Sequence, residues 1–449
     1  MKTVAIIGGG LSGLSTAWNL LKQSDVSITL FETGSRSGGK IRTSREDGFL
    51  CEHGPNGFMD SRQEMVDLCH ELGLADRMVK SDDNAAERFI LRNGALRRLP
   101  KKPPQMFTSN FLPLSARLRL MTEPFRKKTT ASDESVYDFC KRRLGLTVAE
   151  YLADPFTSGV FGADCRKLSV KAAFPMLWEM EQQYGSLFKG LKAKLKENKG
   201  QKPGKLSSFK NGMQELIDAL VNKLTPKVNF RLNTAVHAAR VVEGKVELDV
   251  DNNGKENFDM VVLTCPAYQT GKILGPVYPQ LTERILKIPY SAITVVPQGF
   301  KRPRPDILKA FGFLVPSAEK SQVLGTLFDS SIFPGRAPEN TFSLRAMLGG
   351  GKNPEIINYQ DDQILELILR ENRQVLGIDE KADFIKLIRW EKAIPVYELG
   401  HSKLVQEIEE TTAKDPVFIS GNAFYGVSMN DCISTAALTA TKVKSFLEK

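Results

Sequence analysis

Six residues close to the N-terminus have types and spacing suited to holding a phosphate against the backbone. They are Gly8, Gly9, Gly10, Leu11, Ser12 and Gly13. In this GxGxxG pattern the first glycine permits a tight turn, the second lets the backbone approach a pyrophosphate, and the third allows close helix packing. Apolar residues 3–7 before the run predict a strand, and residues 11–21 after it predict a helix whose N-terminal amides face the phosphates. The pattern predicts a dinucleotide site.

An acidic residue follows at the distance that a ribose requires. Glu32 ends a second predicted strand, residues 27–31, and lies nineteen positions after Gly13. Its carboxylate can accept hydrogen bonds from both ribose hydroxyls and would repel a 2′-phosphate, so NADP is disfavoured. NAD and FAD both remain open at this point.

A glycine doublet just after Glu32 separates these two cofactors. Arg36, Gly38, Gly39 and Lys40 belong to an ExxxRxGGxxxT run, in which extra backbone must pass close to the dinucleotide. The run resembles the signature of the amine oxidase-like flavoproteins. The resemblance implies that the cofactor is FAD and that Thr33 also contributes to its site.

The C-terminal segment supplies a second half for a flavin site. Residues 417–420 predict a strand, Gly421 a turn, and residues 426–440 a helix that starts with Val427, Ser428 and Met429. The amide dipoles at such a helix start would face the flavin pyrimidine edge and stabilise the anion that forms on reduction. We therefore expect both ends of the chain to bind one FAD.

Composition limits the other classes of function. The chain has 449 residues, 41% of them apolar, and a net charge of +10, and it has no run of ~20 apolar residues. Six scattered cysteines and four histidines show no metal-ligand or disulfide spacing, so we expect no metal site and a cytoplasmic, reducing compartment. The basic charge suits an acidic small molecule or an anionic membrane, whereas no nucleic-acid motif is present.

The order of predicted elements indicates an α/β protein with three parts. A Rossmann-like FAD-binding domain is expected from residues 1–85, 205–275 and 385–449. Residues 86–204 are expected to form an inserted helical domain that ends in a lysine-rich linker, and 276–384 an antiparallel-sheet substrate domain.

Several stretches across nearly the whole chain resemble the protoporphyrinogen oxidase family. They include residues 53–58 (HGPNGF), 158–161 (SGVF), 209–213 (FKNGM), 312–316 (GFLVP) and 426–433 (GVSMNDCI). The resemblance implies oxidation of a porphyrinogen by six electrons in two-electron steps, with dioxygen as acceptor and hydrogen peroxide as by-product. Coproporphyrinogen as substrate, another flavin oxidase or desaturase, and a non-catalytic flavoprotein remain as alternatives.

The same resemblance assigns further site residues. It implies that Gly54, Pro55, Asn56, Val236 and Trp390 lie at the cofactor, with Asn56 also near the substrate. Arg88 would hold a propionate and the Gly159 carbonyl would bind pyrrole N–H groups, while Leu314, Leu327 and Met347 would sandwich the macrocycle. Taken alone, Arg88 also suits a surface salt bridge and the three apolar residues an ordinary sheet core. Asn56, where some relatives have arginine, and the order Gly162-Ala163-Asp164 depart from the family pattern.

No side chain is predicted to act as a catalytic base, because flavin N5 accepts the hydride and the pyrrole proton can pass to solvent. His53 and His401 are alternative acid/base candidates, but each lies in a glycine-flanked turn and is interpreted as structural.

Apolar residues alternate with arginines and lysines over residues 106–128. This pattern suits either peripheral contact with the inner face of an anionic cytoplasmic membrane or an amphipathic helix packed on the domain. A homodimer is one alternative for the oligomeric state.

Overall fold

The computed structural model describes residues 1–101, 104–197, 204–251, 254–319 and 321–448. Its strands, numbered in chain order, are β1 Lys2–Ile7, β2 Val26–Phe31, β3 Thr43–Glu46, β4 Phe49–Glu52, β5 Phe58–Met59, β6 Met78–Lys80, β7 Arg88–Arg92, β8 Ala95–Arg98, β9 Leu206–Phe209, β10 Val228–Arg231, β11 Val236–Val242, β12 Lys245–Val250, β13 Gly254–Phe258, β14 Met260–Leu263, β15 Tyr290–Phe300, β16 Gly312–Leu314, β17 Val323–Leu327, β18 Phe342–Gly349, β19 Phe384–Ile385, β20 Ile388–Pro395 and β21 Val417–Ile419.

The α-helices are α1 Leu11–Gln23, α2 Gln63–Glu71, α3 Gln105–Thr108, α4 Leu114–Met121, α5 Val136–Arg143, α6 Leu146–Val148, α7 Asp154–Phe161, α8 Val170–Ala173, α9 Pro175–Tyr184, α10 Leu187–Glu197, α11 Gln214–Leu224, α12 Ala267–Leu274, α13 Pro279–Ile285, α14 Asp329–Ile332, α15 Asp361–Glu371, α16 His401–Thr412 and α17 Met429–Leu447. A π-helical turn, Ala149–Ala153, leads directly into α7.

A parallel sheet joins the two ends of the chain. Its strand order is β10-β2-β1-β14-β21, and every neighbouring pair is parallel. The four residues of β14 are all buried, as expected for a parallel strand covered on both faces. Helices α1 and α17 pack against each other, so the first and last helices of the chain share one core. The predicted Rossmann-like arrangement is confirmed.

A second, eight-stranded sheet is mainly antiparallel and has the order β19-β15-β18-β17-β16-β7-β8, with β20 also paired to β15. It contains strands from outside residues 276–384: the hairpin β7–β8, which was expected in the helical insertion, and β20. The hairpin joins through a parallel β7–β16 pair because Phe89 and Leu91 bury their side chains in the same core as Phe313. The three-part division of the chain stays a prediction.

Helices α4 to α10 form a layer that is held together by buried charges. Glu123 and Arg143 form an ion pair in which both side chains are fully buried, and Glu123 also accepts the N–H of Leu187 at 2.8 Å. Helix α10 ends at Glu197, and the linker predicted after it lies largely outside the described residues. In the described ranges no helix has the length and apolar character needed to cross a membrane.

Candidate active site

The glycine-rich segment forms the predicted turn between β1 and α1. Gly8 has φ +110° and donates its N–H to the Phe31 carbonyl at 2.8 Å, which links the turn to β2. A Cβ at Gly13 would lie 2.0 Å from the Gly8 oxygen, whereas a Cβ at Gly10 would meet no atom within 4 Å. The helix therefore packs tightly on the turn, and Gly10 leaves open space where a pyrophosphate is expected.

Glu32 lies at the end of β2 with its carboxylate fixed by backbone amides. Its Oε2 accepts the N–H of Gly9 and its Oε1 that of Gly34, both at 2.8 Å. Each carboxylate oxygen can accept more than one hydrogen bond, so capacity for ribose hydroxyls remains. Val236, predicted near adenine, begins β11 two residues after Thr234, whose N–H donates to the Glu32 carbonyl at 3.0 Å.

Arg36 organises the loop that carries the glycine doublet. Its guanidinium donates to the carbonyls of Ser37 at 3.0 Å and Gly39 at 3.1 Å, and Gly38 donates its N–H to Gly9 at 2.7 Å. These bonds hold two glycine turns side by side. The Arg36 side chain thus fixes the conformation of this loop by binding carbonyl groups of the loop.

Lys40 is a half-buried cation that makes no hydrogen bond or ion pair within the described ranges. Its Nζ lies 5.5 Å from the centre of the Tyr290 ring. Burial lowers the pKa of Lys40 to about 8, because an ammonium loses hydration without gaining a carboxylate. An anionic ligand would supply the missing charge.

The C-terminal segment lies directly beside the first turn. A Cβ at Gly421 would be 3.6 Å from Ser12 Oγ, and Gly421 has φ +102°. Helix α17 begins at Met429, with Ser428 as its N-cap: Ser428 Oγ accepts the Asp431 N–H at 3.1 Å, and the Asp431 side chain accepts the Ser428 N–H at 3.2 Å. The helix starts three residues later than the predicted 426, because this capping box fixes its first turn.

Tyr397 secures the loop between β21 and α17, a role that the sequence analysis did not assign to it. Its hydroxyl donates to the Asn422 carbonyl at 2.5 Å and accepts the Gly426 N–H at 2.8 Å. Its ring stacks on His401 with the ring centroids 4.0 Å apart.

The segment 53–56 crosses from the cofactor loop to the second sheet. A Cβ at Gly54 would lie 2.4 Å from the Lys40 carbonyl, so the two segments touch. Trp390 donates its indole N–H to the His53 carbonyl at 2.8 Å, and Arg345 donates to the Gly54 carbonyl at 2.9 Å. Trp390 thereby acts on this segment from β20.

A buried polar group that includes Asn56 lies next to this segment. Asn56 donates its amide to Asp329 Oδ1 at 3.3 Å, and Asp329 Oδ2 lies 3.2 Å from Arg345 Nε. Burial raises the pKa of Asp329, while Arg345 opposes that shift. The Asn56 Oδ1 atom is buried and has no hydrogen-bond partner in the described part of the chain, so its capacity to accept a hydrogen bond is unused.

Asp329 and Arg345 are site residues that the sequence analysis missed. Arg345 is 2% exposed within β18, and Asp329, at the start of α14, is 3% exposed. The available signal was the one charged residue inside segment 342–349, two positions from Met347 and therefore on the same strand face.

Three strands of the second sheet bring the predicted macrocycle-binding residues onto one face. Leu314 lies opposite Gly325, Gly325 opposite Met347, and Leu327 opposite Gly312, two positions along β17. Because partners share a face and positions two apart along a strand do too, the three side chains point the same way. Leu314, Leu327 and Met347 are also the positions in β16, β17 and β18 that are not buried.

Gly159 faces this surface from α7. A Cβ at position 159 would lie 2.5 Å from Leu314 Cδ2. The Gly159 carbonyl is in the last turn of the helix, where carbonyls lack helical partners, and it accepts no hydrogen bond in the described part of the chain. It is a free acceptor beside an apolar wall.

Arg88 lies opposite Gly312 in the parallel β7–β16 pair and so on the same face as Leu314. Its guanidinium lies over the Phe311 ring at 4.5 Å from the ring centre, and it forms no ion pair or hydrogen bond among the described residues. Within the described ranges, Arg88 is therefore not in the surface salt bridge that its sequence context also suited.

The other predicted cofactor residues differ in exposure. Leu11, Ser12 and Met429 are buried, Pro55 and Val427 are half-buried, and Thr33 is exposed with its hydroxyl 3.3 Å from Glu32 Oε1. Within the described ranges, no group of three or more His, Cys, Asp or Glu residues could hold a metal ion.

Both histidine candidates are buried and uncharged near neutral pH. Burial lowers the pKa of His53 and of His401 to about 4 in each case. His53 Nε2 lies 2.9 Å from Ser44 Oγ, and His401 stacks on Tyr397. These contacts support the structural interpretation over a role in proton transfer.

Comparison with known proteins agrees with this geometry. The family model "Flavin containing amine oxidoreductase" matches residues 11–444. A mitochondrial protoporphyrinogen oxidase of Nicotiana tabacum is 32% identical, and the alignment covers 100% of this chain and 95% of the relative. A coproporphyrinogen III oxidase of Bacillus subtilis is 26% identical over 99% of this chain and 98% of its own length.

Solved structures share the fold. A crystal structure from Exiguobacterium sp. 255-15, provisionally named a protoporphyrinogen oxidase, has a TM-score of 0.83 and 25% identity and covers 100% of this chain and 99% of its own. A reduced UDP-galactopyranose mutase has a TM-score of 0.76 at 17% identity, over 99% and 96% of the two chains, and shows the fold alone. The chain therefore belongs to the protoporphyrinogen oxidase family of flavin-containing amine oxidoreductases and is an FAD-dependent oxidoreductase.

Proposed function

We propose that this protein oxidises protoporphyrinogen IX to protoporphyrin IX, with dioxygen as the final acceptor and hydrogen peroxide as by-product. The observation that carries the proposal is the face formed by Leu314, Leu327 and Met347. These are the partly exposed positions of three otherwise buried strands, and Leu314 contacts Gly159 of α7. A flat tetrapyrrole needs apolar walls and few polar anchors.

Two polar groups at this face match the remaining chemistry of the substrate. The free Gly159 carbonyl can accept a pyrrole N–H, and a side chain at this position would collide with Leu314. Arg88 can bind a propionate with two parallel hydrogen bonds, since its guanidinium has no competing carboxylate among the described residues.

The residues predicted to bind the cofactor, at the glycine turns and Lys40, fit FAD. Open space at Gly10 and the uncompensated Lys40 ammonium both suit a large anionic ligand such as a dinucleotide. When bound, FAD accepts the electrons that the porphyrinogen loses, two at a time. Trp390 and Arg345 hold segment 53–56 between the two halves through its carbonyls, so this chain's part is to orient the macrocycle and exclude water.

The alternative substrate is coproporphyrinogen, because a coproporphyrinogen III oxidase is among the full-length relatives. Anaerobic mixing of the FAD-loaded protein with each porphyrinogen in turn separates the two. We expect protoporphyrinogen to bleach the flavin faster. Faster bleaching by coproporphyrinogen would favour the alternative, and no bleaching by either, with dithionite still reducing the flavin, would reject a porphyrinogen substrate.

We also propose that α4 and the turn after it rest on an anionic membrane. Leu114, Leu118, Met121 and Phe125 are 55–87% exposed and follow helical spacing, and Arg126 to Lys128 next to them are exposed. The opposite side of α4 packs in a cluster whose margin includes Leu314. An apolar substrate could therefore exchange close to its own wall.

Co-sedimentation with vesicles of anionic lipid tests this surface. We expect the wild-type protein to sediment and a Leu118→Ser/Phe125→Ser variant to stay in the supernatant. Leu438→Ser is the matched control, because Leu438 is 65% exposed on the distant helix α17. Equal binding by the wild type and the double variant would reject membrane docking through α4.

A homodimer stays a prediction.

A further inference from the structure

Helix α7, which carries Gly159, is attached at its first residue by a buried carboxylate. Asp154 is 4% exposed. It accepts the Ser317 N–H at 2.6 Å and the Ser317 hydroxyl at 2.8 Å. Ser317 comes three residues after Leu314, so Asp154 ties the helix to the segment that continues the Leu314 strand.

A buried lysine completes this attachment. The Lys352 ammonium lies 3.7 Å from Asp154 Oδ2, with both side chains less than 10% exposed. Lys352 also donates to the Val315 carbonyl. A buried ammonium and a buried carboxylate each need the other, because an uncompensated charge at such a depth is strongly unfavourable. The pair therefore joins α7 to Val315, the residue directly after β16.

The opposite end of α7 is attached to the neighbouring strand. Gly351 donates its N–H to the Gly162 carbonyl at 2.7 Å, just past the end of the helix. Gly351 follows β18, which carries Met347. The two ends of α7 are thus bound to the segments after β16 and β18, while Gly159 between them faces Leu314. The helix enters this position from a π-helical turn, a feature often found at functional sites.

We propose that Asp154 is a positioning residue that, with Lys352 and Ser317, holds α7 against the Leu314 strand and so sets where the Gly159 carbonyl lies relative to the apolar wall on which the macrocycle packs. The inference rests on the proposed function for the identity of the substrate. The clamp, meaning the contacts of Asp154 with Ser317 and Lys352, is a feature of this chain alone. This placement enters recognition because a pyrrole N–H can donate to the carbonyl only while the macrocycle also contacts the wall, so a shift of α7 would weaken one of the two contacts.

Asp154→Asn tests the clamp, because it keeps the side-chain size and leaves the Lys352 ammonium uncompensated. We expect the KM for protoporphyrinogen to rise about tenfold with FAD content unchanged. The double variant Asp154→Asn/Lys352→Met removes both charges and should recover most of that loss. Asp306→Asn, at an exposed aspartate that pairs with Lys309 at 2.6 Å on the surface, is the control and should leave the KM unchanged.

Hydrogen exchange of the FAD-loaded protein provides a readout that needs no substrate. We expect Asp154→Asn to speed exchange in both 154–162 and 312–317, and the double variant to slow it again. Unchanged exchange in Asp154→Asn would overturn the clamp whatever the substrate is. Faster exchange with an unchanged KM would overturn its role in placing the Gly159 carbonyl, whereas a wild type that oxidises no porphyrinogen would defeat the proposed function alone.

Discussion

The two halves of the proposed site are built from different atoms. The cofactor half, around the glycine turns and the start of α17, uses mainly backbone groups, whereas the substrate half, on β16, β17 and β18, uses side chains. In the cofactor half, glycine turns, backbone amides and the start of α17 surround the expected dinucleotide, and Glu32 itself is held by two amides. In the substrate half, side chains from three strands form a wall opposite one helix. A backbone site is encoded in residues adjacent in sequence, whereas a side-chain wall exists only once strands pair in the right register.

The largest expected effect breaks the cofactor half alone. Gly13→Val would force a side chain onto the Gly8 carbonyl, 2.0 Å from the new Cβ, so the turn cannot keep its shape. We expect purified Gly13→Val to contain no FAD by visible absorbance. Gly275→Ala is the control, because a Cβ there approaches no atom closer than 3.3 Å. Normal FAD content in Gly13→Val would show that the turn is not the cofactor site.

That contrast also explains what the sequence could predict. The turn at Gly8, the position of Glu32 and the existence of the last helix follow from short-range patterns, and the fold class follows from them, whereas the start of that helix at Met429 was missed. The hairpin β7–β8, Asp329 and Arg345, and the clamp at Asp154 did not follow. Their partners lie 163 residues away for Asp154 and 273 for Asn56 with Asp329, and no local pattern reports such pairing.

The pH dependence of the free energy of unfolding tests whether His401, which stacks on Tyr397 beside the loop before α17, is a buried neutral imidazole. The folded-state pKa of His401 is lowered from 6.5 to about 4, so the folded protein resists a proton that the unfolded chain accepts. This contribution is present above pH 6.5 and is lost as the pH falls towards 4. We expect the free energy of unfolding to fall by about 3 kcal/mol more in the wild type than in His401→Asn over this range.

Urea unfolding of both proteins at pH 7 and pH 4 measures the difference. His53→Asn should reduce the pH dependence of the free energy of unfolding by a similar amount, since the pKa of His53 is also lowered to about 4. Parallel pH profiles for the wild type and His401→Asn would contradict the assignment of a buried neutral imidazole.

Arg88→Ala breaks the substrate half without touching the cofactor half. We expect the KM for protoporphyrinogen to rise about thirtyfold, because a charge-assisted hydrogen bond contributes about 2 kcal/mol. FAD content should be unchanged. Arg98→Ala is the control, since Arg98 is exposed and pairs with Glu87 at 3.0 Å. Loss of FAD in Arg88→Ala, or an unchanged KM, would remove Arg88 from the proposed role.

The smallest expected effect concerns the fit between α7 and the wall. Gly159→Ala places a Cβ 2.5 Å from Leu314 Cδ2, and we expect about a tenfold rise in KM. Gly159→Ala/Leu314→Ala removes the colliding atom and should regain part of the loss, as steady-state assays of the three variants would show. A KM change in the double variant equal to the product of the two single fold-changes would mean that the two residues do not interact.

Aerobic turnover of the purified, FAD-loaded protein tests the central claim that the two halves form one porphyrinogen-oxidising site. Protoporphyrin fluorescence and hydrogen peroxide should be followed together in one reaction. The account predicts that porphyrin forms only with FAD bound and that one peroxide appears for each two-electron step. Porphyrin formation at the same rate without FAD, or none with FAD bound and dioxygen present, would contradict it.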